Sequence, residues 1–161
     1  VSADEMGLHV CFVCTGNICR SPMAALVFAE HLRREGLDDR VRVSSSGTGS
    51  WHVGEKIDSR AGATLRDNGY PTAHRAAQMG AEHLDADLLV ALDAGHAREL
   101  RRLVDDTERI RLLRSFAPES AGGTDLDVPD PYYGGDEGFT EVLGMIEAAS
   151  PGLMRWVKER L

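Results

Sequence analysis

An α/β fold is what this sequence predicts: a three-layer sandwich with a four-stranded parallel sheet flanked by helices. Three observations carry that expectation. Short apolar runs rich in β-formers alternate with helix-period stretches in the order β-α-β-α-β-α-β-α. The clearest strand runs are nearly continuously apolar, as strands covered on both faces are. The 161 residues contain no linker, repeat or low-complexity segment, so one domain spanning 1–161 is expected.

The elements follow in order. "LHVCFV" (8–13) reads as a strand buried on both faces. "SPMAALVFAEHLRREG" (21–36) reads as an amphipathic helix, with Ser21 as N-cap, Pro22 in the first turn and Gly36 as the stop. "VRVSSSG" (41–47) is a second strand, and "DSRAGATLRDNG" (58–69) a helix ended by Gly69. "ADLLVALD" (86–93) is a buried strand, 94–106 a helix and "RIRLLRSF" (109–116) the last strand. Residues 117–138 form a loop rich in Gly, Pro and Asp, and 137–161 a helix that Ser150-Pro151 is expected to kink or break.

Composition narrows the partners. A formal net charge of −8 disfavours nucleic acid and opposes an anionic membrane surface. No apolar run reaches the length of a membrane span, and "VSADEMG" reads as neither a signal peptide nor a lipidation signal. The three cysteines, all between residues 11 and 19, suggest a reducing cytosol rather than a disulfide framework.

The chemistry concentrates in "CTGNICRS" (14–21), between a strand and a helix start. A loop there can curl so that its amides point inward and add to the positive end of the helix dipole, a cradle for a tetrahedral anion. Gly16 and Asn17 are the residues that accept the left-handed backbone such a curl needs. Arg20 offers a planar fork for two anion oxygens. Cys14 lies beneath, where amides, dipole and guanidinium all favour the nucleophilic thiolate.

Alone, a cysteine ending a core strand reads as a packed hydrophobe. Zinc is disfavoured because a fourth ligand is missing locally and Cys11 is expected to face the core. The lysine and spacing of a nucleotide-binding P-loop are absent. Phosphoryl transfer to a cysteine also needs an acid for the leaving group. Asp130, before Pro131 on the loop after the last strand, is the candidate, with Tyr132 and Tyr133 as walls of an aromatic slot.

Four segments, "VCFVCTGNICRSPMA", "SSGTGSWHVG", "TAHRA" and "DPYYGGDEGF", closely resemble the low-molecular-weight protein-tyrosine phosphatases, especially the bacterial ones. The resemblance runs from about residue 8 to the end. It implies hydrolysis of phosphotyrosine in proteins through a phosphocysteine, with no metal or other cofactor. Cys14 is then the nucleophile, Arg20 the phosphate clamp and Asp130 the general acid and later base. Thr15, Gly16, Asn17, Ile18, Cys19, Arg20 and Ser21 hold the phosphate, and Ser21 steadies the thiolate. Asn17, Ser45 and His74 form a supporting network, although His74 by itself reads as an ordinary surface or core histidine. Ile18, Trp51, Tyr132 and Tyr133 line the substrate pocket. Ser44 and Ser46 depart from the Asp and Ala common in the family. The implied partners are phosphotyrosine proteins and, in the loop, inorganic phosphate or other oxyanions. A cytoplasmic monomer is expected, export without a signal peptide being the alternative.

Three rivals differ by residue. An arsenate reductase on this scaffold needs relay cysteines, and none occurs over 20–161. An arginine phosphatase of the same fold resembles this loop but carries Thr at the position of Ile18. An inactive phosphotyrosine-binding module has no support while Cys14, Arg20 and Asp130 are all present. Cys19, which hydrolysis does not require, shares the loop with Cys14. A disulfide between them is expected to protect an oxidised nucleophile.

Overall fold

The computed structural model describes residues 7–118 and 125–161. Expectations for 1–6, and for 119–124 within the long loop, lie outside the described residues. The elements are β1 (Leu8–Cys14), α1 (Arg20–Arg34), β2 (Val41–Gly47), α2 (Ser59–Asp67), α3 (Ala81–Leu84), β3 (Leu88–Ala91), α4 (Ala94–Leu103), β4 (Ile110–Leu112) and α5 (Asp136–Lys158). The sheet is parallel throughout, in the order β2-β1-β3-β4. β1 sits between β2 and β3, so the chain leaves it to one side first and returns on the other. The switch point of the sheet falls at its carboxyl end, where such folds bind ligands.

Alternation along β1 divides the core. Val10, Phe12 and Cys14 join one cluster with Met23, Phe28, Phe139 and Ile146 from α1 and α5. Cys11 and Val13 join the other, with Leu89 from β3 and Ala97 and Leu100 from α4. Phe12 and Phe28 meet edge to face, 6.2 Å between centroids. The same alternation explains why Ser44 and Ser46 leave the Ser45 network undisturbed. Ser44 Oγ lies 2.6 Å from His9 Nε2 and Ser46 Oγ 3.8 Å from Cys11 Sγ, on the opposite face from Ser45.

Three expectations are corrected. The strand expected over 109–116 ends at Leu112, and Leu113–Phe116 form a 3₁₀ turn. Ser115 Oγ donates to the Leu112 carbonyl at 2.6 Å, a local bond that competes with continued pairing. The last helix is not broken at Ser150-Pro151; α5 runs through it. Ser150 Oγ donates to the Ile146 carbonyl at 2.8 Å. Gly152 meanwhile packs so tightly on Phe116 that a Cβ there would lie 2.1 Å from its carbonyl oxygen. Tertiary contact thus holds the helix where proline alone would stop it. Finally, Ser21 is not the N-cap of α1. The helix begins at Arg20 with no side-chain cap, because the Ser21 hydroxyl is used elsewhere.

Candidate active site

Between Cys14 and Arg20 the chain curls tightly enough to need one left-handed residue. Asn17 takes it, with φ 58°, alone in this among the described non-glycine residues. Its amide Nδ2 donates to Ser21 Oγ (2.7 Å) and Ser45 Oγ (3.0 Å), and its Oδ1 accepts from the Ala77 amide (2.9 Å). Its own carbonyl accepts from His74 Nε2 at 2.6 Å, so that nitrogen carries the ring proton. Asn17 is 1% exposed and every polar atom of its side chain is paired. The loop also seats on the end of β2 through Gly47, where a Cβ would come within 2.6 Å of the Thr15 carbonyl oxygen.

The network ends on Ser21. Its oxygen already accepts from Asn17, and Cys14 Sγ lies 2.9 Å away. A hydroxyl has one proton, and it is the donor in this contact whenever Cys14 is a thiolate, which can only accept. Arg20, 4% exposed, donates from Nη1 to Asp93 Oδ2 and to the Val128 carbonyl, both at 2.9 Å. Its Nη2 lies 3.7 Å from Asp130 Oδ2. Anchored at one corner, the guanidinium keeps donors for an anion.

Above the loop lies a cavity of about 480 Å³, lined by Cys14 through Arg20, Trp51, His52, Asp130, Tyr132 and Tyr133. A larger one, about 650 Å³, lies between α1 and α5 and contains neither the Cys14 loop nor Asp130. Volume therefore does not select the site; chemistry does. The rim is open: Trp51 is 74% and Tyr133 90% exposed. Tyr132 is held more firmly, because Arg60 donates to its carbonyl at 2.9 Å and stacks 5.6 Å over its ring. Asp130 Oδ1 accepts from the Tyr132 amide at 3.0 Å.

The structure thus brings Cys14, Thr15, Gly16, Asn17, Ile18, Cys19, Arg20, Trp51, Asp130, Tyr132 and Tyr133 to one cavity. Ser21, Ser45 and His74 lie behind it. Sequence reasoning missed Asp93, His96, His52 and Arg60. Asp93 had a legible signal: it follows β3, the strand beside β1, at the same sheet edge. His96 follows Asp93 by the three residues of a helix cap, whereas His52 and Arg60 reach the cavity by tertiary contact alone.

Burial shapes the ionisation here. It pushes the Cys19 thiol up to about 12, helped by Asp58, Asp130 and Cys14, so Cys19 stays protonated. Burial lowers His74, against the Asn17 carbonyl, and takes His96 down to about 4, against Asp93. Burial would raise Asp93, but the His96 amide and ring and the Arg20 guanidinium outweigh it and hold the carboxyl below its usual range.

A thiol at the carboxyl end of the central strand, a clamped guanidinium, an uncapped helix start and a carboxylate at the mouth fit displacement at phosphorus. Residues 9–161 match the family model described as low molecular weight phosphotyrosine protein phosphatase. The low molecular weight protein-tyrosine phosphatase A of Mycobacterium tuberculosis is 63% identical over 154 residues, 96% of this chain and 94% of that one. The low molecular weight protein-tyrosine-phosphatase of Streptomyces coelicolor is 54% identical over 160 residues, 97% of each. Among solved structures, a protein tyrosine phosphatase from Entamoeba histolytica superposes with a TM-score of 0.87 at 30% identity, covering 94% of this chain and 97% of that one.

Proposed function

This chain belongs to the low molecular weight phosphotyrosine protein phosphatase family, and we propose that it hydrolyses phosphotyrosine in proteins through a phosphocysteine on Cys14. In the first step the Cys14 thiolate attacks phosphorus, an S–P bond forms and the P–O bond to the tyrosine breaks. Asp130 delivers a proton to the departing phenolate oxygen. In the second step Asp130 takes a proton from water, the water oxygen attacks phosphorus, and the S–P bond breaks to return thiolate and inorganic phosphate. Arg20 and the amides from Thr15 to Ser21 hold the equatorial oxygens through both transition states. The Ser21 hydroxyl stabilises the sulfur as nucleophile and again as leaving group. Asn17, tied to Ser45 and His74, keeps that hydroxyl aimed.

One observation carries this reading: Cys14, Arg20 and Asp130 line the same cavity at the switch point of the sheet. Ile18, Trp51, Tyr132 and Tyr133 supply the pocket for the aryl ring, which reaches the loop from a depth that phosphoserine cannot span. The reading places a monomer in the cytoplasm, consistent with three free thiols. No helix among the described residues is long and apolar enough to cross a membrane. The test is kcat/KM on matched peptides carrying phosphotyrosine, phosphoserine or phosphoarginine. Phosphotyrosine should lead by about 10²-fold or more. Parity with phosphoserine would remove the depth argument, and preference for phosphoarginine would assign the other phosphatase of this fold.

A further inference from the structure

Behind the phosphate loop sits a buried imidazole that the mechanism above does not use. His96, in the first turn of α4, is 5% exposed. Its Nε2 lies 2.8 Å from Thr15 Oγ1, on the residue that follows the nucleophile. Its Nδ1 lies 3.2 Å from Asp93 Oδ1, too far off alignment for a hydrogen bond. It is the only buried side-chain nitrogen or oxygen without one among the described residues. Asp93 is already doubly engaged: Oδ1 accepts from the His96 amide at 3.0 Å, and Oδ2 accepts from Arg20 at 2.9 Å.

A proton inventory orders these contacts. Asp93 beside a guanidinium is an acceptor only. An imidazole nitrogen 3.2 Å from a carboxylate oxygen avoids lone-pair repulsion by carrying the hydrogen. Burial holds the ring neutral, so it has one proton to place, and Nδ1 takes it. Nε2 is then the acceptor, and the Thr15 hydroxyl donates to it. The contacts run from Thr15 O–H to His96 Nε2, from the His96 amide to Asp93 Oδ1 with the ring Nδ1–H facing the same oxygen, and from Arg20 to Asp93 Oδ2. Thr15 and Arg20, at the two ends, are both cavity residues.

We propose that His96 is a positioning residue for phosphate binding, tying the Thr15 side of the loop to the carboxylate that aims Arg20. It touches no substrate. It fixes the Thr15 side chain and keeps Asp93 from turning away from the clamp. Its under-used Nδ1–H also offers Asp93 a second partner when a bound anion draws on Arg20. A buried donor left poorly paired carries a desolvation penalty, so its presence beside the clamp calls for a physical reason.

The inference rests on the phosphatase reading, and one experiment separates the two. The inhibition constant for inorganic phosphate, with KM and kcat for a small aryl phosphate, is measured on wild type, His96→Phe, Thr15→Val and the double variant. Each single change should weaken phosphate by roughly five- to tenfold, the worth of one ordinary hydrogen bond, with a smaller change in kcat. Because both cut the same run of contacts, the double variant should be no worse than His96→Phe. Nitrogen-15 spectra of wild type should show His96 as the Nδ1–H tautomer. Thr15→Val alters an exposed loop residue and so reports even where His96→Phe fails to fold. Unchanged phosphate affinity in Thr15→Val, fully additive losses, or an Nε2–H tautomer would overturn the role of His96 while leaving the phosphatase intact. A wild type that neither binds phosphate nor cleaves the aryl ester would overturn both.

Discussion

The floor and the rim of the cavity are built on opposite principles. On the floor, Asn17 and Arg20 are 1% and 4% exposed, and Asn17 has every side-chain polar atom paired inside the protein. A left-handed asparagine costs conformational energy of order 1 kcal/mol, so the surroundings must over-determine it. At the rim, Trp51 and Tyr133 stand 74% and 90% exposed. The contrast separates two tasks. Stabilising a transition state needs donors that do not reorganise as charge develops. Admitting a phosphotyrosine displayed on a folded protein needs a surface that adapts, and exposed aromatics supply apolar area at small ordering cost. Rate and the grip on phosphate should therefore live on the floor, and affinity for the rest of the substrate at the rim.

The sharpest way to break this contrast is Cys14→Ser. Turnover of an aryl phosphate should fall by more than about 10⁴, because no base stands ready to activate a hydroxyl. Phosphate binding should survive, since amides and Arg20 remain. Substantial turnover by the variant would end the covalent mechanism.

Asp130→Asn should cost about 10² to 10⁴ in kcat on a phenol of high pKa and much less on a leaving group that departs without a proton. Equal losses on both substrates would take the acid role away from Asp130, which stands between floor and rim.

The buried histidines couple the floor to pH. His96 falls to about 4 in the folded chain from an ordinary 6.5, because burial opposes its charge. The unfolded chain binds the proton first. Stability from this group is therefore complete above pH 6.5 and drains away as pH falls toward 4, by about 3 kcal/mol. His9, His74 and His83 are shifted the same way by burial. Urea midpoints followed from pH 7 to pH 4 should fall, less steeply in His96→Phe. An identical slope in that variant would show that His96 is protonated already in the native state.

At the rim, Trp51→Ala or Tyr133→Ala should raise KM for a phosphotyrosine peptide by about tenfold, with kcat nearly unchanged and stability within roughly 0.5 kcal/mol. A fall in kcat with constant KM would move the rim into the catalytic machinery.

The smallest effect concerns Cys19 and appears only after oxidation. Peroxide converts the Cys14 thiolate to a sulfenic acid. The Cys19 thiol, kept protonated by its burial, can condense with it to a disulfide and release water. After a peroxide pulse and dithiothreitol, wild type should regain most of its starting activity and Cys19→Ala should not. Equal recovery would leave Cys19 as loop packing.

How much of this was legible beforehand differs by residue. The order of strands and helices, the loop 14–21 at the strand-to-helix junction and the place of Asp130 beside it were readable because each rests on local pattern: apolar period, a strand-to-helix junction, an Asp-Pro turn. Chain order alone placed 14–21 at the carboxyl end of a parallel strand. Local rules misled where distant atoms had prior claims. Ser21 looks like a helix cap, yet its hydroxyl belongs to Cys14 and Asn17. Pro151 looks like a helix breaker, yet the seat of Gly152 on Phe116 and the Ser150 hydroxyl bond carry α5 past it. Chain order put Asp93 at the right sheet edge, but its partner, and the places of His96, His52 and Arg60, could be assigned only after folding. Asp93 meets Arg20 across 73 positions and His96 meets Thr15 across 81, separations that no period or motif spans. Sequence by itself determined which groups could do the chemistry, because reactivity belongs to residue type and local backbone. Only the tertiary structure decided which carboxylate aims the arginine and which proton each hydroxyl gives, because those are facts of distance between strands.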